Sequence, residues 1–138
     1  MEGSKLQPGI TGEATTQVTA EMTANRIASG VVEVYATPMM IALMEKAAAE
    51  AVQPHLAAGQ STVGTLVNIT HIAATPVGQT VKAKAELLEV DGRRLIFAVT
   101  AYDEMERIGE GRHERFIIDD DRFLNRVARK GAQKLKED

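Results

Sequence analysis

The 138-residue chain has no cysteine and no tryptophan, and only three Phe and two Tyr. Without cysteine there is no disulfide frame, no thiolate nucleophile and no Cys-ligated metal. So few rings weaken any reading built on stacking bases or nucleotides. Excess positive charge is also missing: the formal net charge is −3, so the overall field does not favour nucleic acid. Three His stand at 55, 71 and 113, with no HxxxH or HExxH spacing, so no zinc site is expected. No run reaches the ~18 apolar residues of a membrane span. The N-terminus has no basic region followed by an apolar core, and the expected location is the cytoplasm. What remains is ordinary for one domain with one core: 44% hydrophobic and 25% charged residues, with no repeat and no linker over 1–138.

Along the chain, residues 1–14 are rich in Gly, Ser, Gln and Thr and read as a tail or arm. Residues 15–23 alternate weakly and suit an edge strand. Residues 25–35 read as a loop or short helix, broken at Ser29-Gly30. Pro38 fits a first helical turn with Thr37 as N-cap, and the helix runs to about Val52. Beyond it the period changes to two. Val63, Thr65, Val67, Ile69 and His71 share one strand face. After a turn at 75–78, Val81, Ala83, Ala85 and Leu87 share the next. Asp91-Gly92 signals a hairpin, followed by Leu95, Phe97, Val99 and Ala101. Residues 108–118 form a last strand, with Gly109 and Gly111 marking a bulge or close approach. Asp119, Asp120 and Asp121 precede a basic C-terminal helix over about 120–136. A meander of strands with one wet face needs a cover for its dry face, and the helix at 38–53 is the only sizeable apolar element. An α+β fold follows, with an antiparallel sheet wrapped around one helix.

That helix carries an unexpected carboxylate. At 100° per residue, Lys46, Glu50 and Gln53 define the wet face, and Glu45 lies roughly 100° away from it. Ile41, Ala48, Ala49 and Val52 surround Glu45 one turn on either side. A carboxylate in such company is partly desolvated, which suits it to proton transfer or attack. The plainer reading is a rim Glu whose tip reaches water.

Several segments are together similar to the hot-dog acyl-CoA thioesterases, in their fluoroacetyl-CoA thioesterase-like branch. They are Val34-Tyr35-Ala36-Thr37-Pro38 with Leu43-Met44-Glu45, Thr62-Val63-Gly64-Thr65, Thr70-His71-Ile72-Ala73-Ala74-Thr75-Pro76-Val77-Gly78, and Gly111-Arg112-His113-Glu114-Arg115. Each is weak alone, but their joint order and spacing cover roughly residues 10–128. The resemblance implies a five- or six-stranded antiparallel sheet around a long helix, and a homodimer with acyl-CoA at the subunit interface. It implies hydrolysis of a short-chain acyl-CoA without metal or organic cofactor. It also implies catalytic roles for Thr37, Glu45 and His71, with the Gly64 backbone N–H on the thioester oxygen and Thr65 beside it. The branch carries aromatic residues as a lid before the Thr. Ala28-Ser29-Gly30-Val31-Val32 has none, which implies a lid that is smaller, more open or absent.

Each residue also has a plainer role. Thr37 could simply cap the helix, worth typically ~1 kcal/mol. His71 could be a hydrogen-bonded core residue and Gly64 a β-bulge. His113 and Arg115 share a strand face that reads as a solvated edge, or as a contact to CoA phosphates or the acyl pocket. The basic run Arg126, Arg129, Lys130, Lys134 and Lys136 reads as a wet helix face. Thr37 and Glu45, eight residues apart, lie about 12 Å apart along one regular helix. If they serve one site, the helix start is irregular or two subunits contribute. Competing functions are a non-catalytic acyl-CoA sensor, which would not need Glu45, and an acyl-thioester hydratase or dehydratase.

Overall fold

The computed structural model describes residues 6–133. Strand β1 (Thr11–Gln17) leads through a 3-10 turn (Ala20–Met22) and an irregular stretch to helix α1 (Thr37–Val52). A second 3-10 turn (Gln53–His55) follows. Then come β2 (Gln60–His71), β3 (Thr80–Asp91), β4 (Arg94–Tyr102), β5 (Arg107–Asp119) and helix α2 (Asp120–Gly131). The five strands make one sheet in the order β1-β3-β4-β5-β2, antiparallel throughout. It curls around α1, giving the α+β helix-in-sheet layout that the change of period implied.

The helix buries Met40, Leu43, Met44, Ala47, Ala48, Ala51 and Val52, the i, i+3/i+4 repeat of one helical face. All but Ala51 join Val81, Ala83, Ala85 and Leu87 of β3 and Leu95, Phe97, Val99 and Ala101 of β4 in a single core. Lys46 and Glu50 stay exposed. The alanines are small for a reason. A Cβ on Gly12 of β1 would stand 2.5 Å from the Ala47 carbonyl oxygen and 2.6 Å from Ala51 Cβ. The helix backbone therefore rests directly on β1, with no side chain between them.

Four local expectations need correction. Residues 11–14 are not tail: they start β1, with Ala14 buried, because the edge of β3 offers them a ladder from Thr11↔Glu86 to Gln17↔Thr80. That strand ends at Gln17 rather than near 23. The N-cap of α1 is Ala36, extended and without a side-chain cap, while Thr37 is the first helical residue and uses its hydroxyl elsewhere. Pro38 does sit in the first turn. Finally, α2 ends at Gly131. Residues 1–5 of the expected arm and 134–136 of the expected helix lie outside the described residues.

A bulge matters more for function. The β2–β5 register shifts between Gly64 and Leu66, so Thr65 is an extra residue. Before the bulge Thr62 and Gly64 face the helix; after it Val67, Ile69 and His71 do. Val63 and Thr65 turn to the outer face, splitting what period two made one face. Opposite the inward residues of β2 stand Gly109, Gly111, His113, Arg115 and Ile117 of β5. Because β5 lies between β4 and β2, His113 and Arg115 are not a solvated edge: they are 1% and 8% exposed. Gly109 is a close approach, leaving room for the Met40 thioether.

The helix-on-strand contact gives a direct expectation. Gly12→Ala should destabilise the fold by about 1–3 kcal/mol, as overpacking does, despite the smaller chain entropy of the unfolded alanine variant. Urea unfolding midpoints measure this, and an unchanged midpoint would show that the helix is not seated on β1 as described.

Candidate active site

Two groups of side chains gather on the inner face of the sheet. The first is at the start of α1. Thr37 Oγ1 lies 2.7 Å from His71 Nδ1, joining the first turn of the helix to the last residue of β2. The irregular stretch after β1 is tied down beside them: Tyr35 N–H donates to the Thr75 carbonyl, and Ala36 N–H to that of Met22. Tyr35 is buried, its hydroxyl donating to the Met39 carbonyl and its pKa pushed up to about 12 by burial. A cavity of about 300 Å³ opens here, with Thr37, His71 and Tyr35 in its wall. Burial lowers the His71 pKa, against a smaller opposing effect of the Ala73 backbone, so the ring is neutral at pH 7. Its Nε2 is buried without a hydrogen-bond partner among the described residues. Such an atom costs roughly 1–3 kcal/mol, and sites that bind or react are where proteins keep one.

The second group lies at mid-helix. Arg115 is fixed from three sides: Nε donates to Thr62 Oγ1 (2.8 Å), Nη2 to the Thr62 carbonyl (2.9 Å), and Nη1 to His113 Nε2 (3.1 Å). His113 Nδ1–H in turn donates to the Leu66 carbonyl at 2.8 Å, so the ring is neutral with a defined tautomer. Burial and then the neighbouring guanidinium lower its pKa, and Phe97 stacks on it from β4. Arg115 Nη1 also stands 3.8 Å from Glu45 Oε2. The Glu45 side chain is 38% exposed in the protomer, between the buried and rim readings. It lies over Gly64, where a Cβ would come within 2.7 Å of Oε2. Only glycine lets the carboxylate and the β2 backbone approach this closely.

Of the expected site residues, the fold thus pairs Thr37 with His71 and gathers Glu45, Gly64, His113 and Arg115. It does not bring the two groups together within one protomer, because both Thr37 and Glu45 are in the regular helix α1. Thr65 is on the outer face, its hydroxyl donating to the Glu114 carbonyl at 3.2 Å. Thr62, which anchors Arg115, was missed; the bulge that turns it inward leaves no periodic signal. Among the described residues no three His, Asp or Glu side chains are placed to hold a metal ion.

A curled five-stranded antiparallel sheet around one helix is also the fold of a hot-dog-like protein from Thermanaerovibrio acidaminovorans (TM-score 0.83, 20% identity, 94% of this chain and 96% of that one). The architecture is the hot-dog fold. A sequence model of the fluoroacetyl-CoA-specific thioesterase family matches residues 18–121, and the chain belongs to that family. It is 46% identical over 98 residues to the fluoroacetyl-CoA thioesterase of Streptantibioticus cattleyicolor, 71% of this chain and 70% of that one. The solved structure of a fluoroacetyl-CoA thioesterase superposes with a TM-score of 0.87 at 36% identity, covering 92% of this chain and 98% of that one. Variants of that enzyme have been solved with fluoroacetate and CoA and with acetyl-CoA.

The two imidazoles, His113 buried and His71 half-buried, set a pH dependence. Both have folded pKa values below the ordinary 6.5. The unfolded chain therefore takes up protons first on acidification, so their contribution is intact above about pH 6.5 and is lost as pH falls below it. The urea midpoint should drop between pH 7.5 and 5.5. His113→Gln, less stable at pH 7.5, should show a smaller drop; an equal drop would contradict the burial of a neutral His113.

Proposed function

We propose that the protein hydrolyses a small acyl-CoA thioester to free acid and CoA, in a homodimer whose site combines Glu45 of one subunit with the Thr37–His71 pair of the other. The observation that carries this is the Glu45 carboxylate lying on Gly64, beside a fixed guanidinium, in a chain of the fluoroacetyl-CoA-specific thioesterase family. A thioester carbonyl needs an electron pair delivered to carbon and stabilisation of charge on oxygen. The thiolate leaves with little proton assistance. Glu45 serves that attack in one of two ways: it takes a proton from a water whose oxygen adds to the carbon, or it adds directly to give an anhydride that water then opens. The Gly64 N–H is the donor proposed for the oxygen. Neutral His71 holds the Thr37 hydroxyl, and that pair orients water or the acyl group. No metal or organic cofactor enters the reaction.

Pairing of subunits is supported by the sheet itself. Strand β2 is an edge of 12 residues, with Leu66 and Val67 41% and 45% exposed. Edges of this length are normally covered. Ala28 to Val32 offer no aromatic lid, so the acyl pocket is more open in this reading, and the short-chain class rests on the family alone. Val31 and Val32 project from the irregular stretch at 93% and 61% exposure.

CoA release is to be measured for acetyl-, fluoroacetyl-, propionyl-, butyryl-, phenylacetyl- and long-chain acyl-CoAs, with wild type beside Glu45→Gln. The expected result is turnover on a short acyl-CoA that falls by at least about 10²-fold in the variant, the scale of a lost acid–base group. Tight acyl-CoA binding with no release by either protein would sink the hydrolase and leave a sensor. Single turnover in ¹⁸O-water tests direct attack: label in the Glu45 carboxylate requires an anhydride opened at its glutamyl carbon, whereas opening at the acyl carbon, like the general-base route, labels only the free acid.

A further inference from the structure

Arg115 and Glu45 carry opposite charges on the inner face, yet they are not in close contact. Nη1 stands 3.8 Å from Oε2, roughly 1 Å beyond the ~2.8 Å at which a guanidinium and a carboxylate hydrogen-bond. No side chain lies between them, because Arg115 is paired across the ladder with Gly64. A Cβ there would lie 2.7 Å from Glu45 Oε2, 3.3 Å from His113 Cε1 and 3.4 Å from Arg115 Nη1. Two residues account for the gap. Thr62 accepts Nε on its hydroxyl at 2.8 Å and Nη2 on its carbonyl at 2.9 Å. His113 accepts Nη1 on Nε2 at 3.1 Å, and it can do so because its one N–H goes to the Leu66 carbonyl. Three hydrogen bonds thus oppose the pull of the carboxylate. Thr62, His113 and Arg115 are all buried, where such bonds are electrostatically stronger than in water.

We infer that Thr62 is a positioning residue for the reaction: with His113 it holds Arg115 off Glu45, and so keeps the carboxylate free to act. The inference rests on the thioesterase reading and deepens it. In either route Glu45 gives up its negative charge, to a proton from water or to a new bond with the acyl carbon, as charge appears on the thioester oxygen. A cation in direct contact with Glu45 stabilises the carboxylate before that step and not after it, which raises the barrier. The fold guards against that contact with a residue chosen for its acceptor. Thr62 lies on β2 two residues before Gly64, ahead of the bulge, and so faces the helix beside Arg115. Its hydroxyl is the one partner of Arg115 Nε. Without that oxygen, the guanidinium loses one of its three holds and can turn toward the carboxylate.

The test measures kcat and KM for Thr62→Val and Thr62→Ser, each alone and in the Glu45→Gln background. Thr62→Val should lower kcat by about tenfold or more, the scale of a hydrogen bond to a charged group, with KM little changed. Thr62→Ser keeps the acceptor and should stay within about twofold of wild type. With Glu45→Gln there is no charge left for Arg115 to close on, so Thr62→Val should cost nothing further. An equal loss in both backgrounds overturns the inference, because Thr62 would then be only a structural support. An unchanged kcat, or a loss confined to KM, also overturns it. If Thr62→Val does not fold, Thr62→Cys, whose sulfur is a weak acceptor, takes its place in every arm. If wild type hydrolyses no acyl-CoA, the thioesterase reading fails separately. A crystal structure of the variant then still decides the hold itself: Arg115 Nη1 closed to hydrogen-bond distance from Glu45 supports it, and an unchanged gap overturns it.

Discussion

Contact between the backbone of α1 and strand β1 controls where every reactive group stands. Gly12 gives up its side chain, and Ala47 and Ala51 keep theirs minimal, so the helix lies down on the sheet edge. The rest of the inner face then closes on it through Met40, Met44 and Val52. With the helix at that depth, Glu45 reaches Gly64 on the opposite edge strand, and Thr37 reaches the end of β2 at His71. A helix raised by one methyl layer would lose both contacts. Close packing of this kind responds to single methyl groups, so core and site are one construction.

The site itself is held by polar contacts. Arg115 gives its donors to Thr62 and to His113 Nε2, and His113 gives its one N–H to the Leu66 carbonyl. That chain fixes a buried cation beside Glu45 without neutralising it through a close pair, since 3.8 Å is a loose approach. The carboxylate is left partly exposed and the Thr37–His71 pair stands two helical turns away. The proposed dimer resolves this separation, because a second copy would bring the complementary pair across the β2 edge.

Much of the scaffold was legible in the sequence. Period two over β3 and β4, the Asp91-Gly92 turn and the 3.6-residue stripe of α1 are local properties, and each appears where its pattern stands. What period could not reveal was set by distant residues. Polar β1 becomes a strand because β3 offers it an edge, and β5 buries His113 and Arg115 because β4 and β2 flank it. The bulge at Thr65 sends Val63 and Thr65 outward and Thr62 inward, reversing the face of half a strand. Glu45 was conspicuous because a carboxylate interrupts an apolar helix flank. Its neighbour Arg115 was seen as a type but not as a buried one. Thr62 opened one of the resembling segments but gave no periodic sign of its inward role.

Complementation tests most directly whether Glu45 of one subunit works with His71 of the other. Glu45→Gln and His71→Asn chains, differently tagged, are co-expressed and the mixed dimer is isolated by tandem affinity. Each variant alone should be nearly inactive. The mixed dimer then contains one site with both residues intact, so the account predicts about half of the wild-type activity. Activity no higher than that of the single variants would place Glu45 and His71 in the same subunit's site and contradict the shared site.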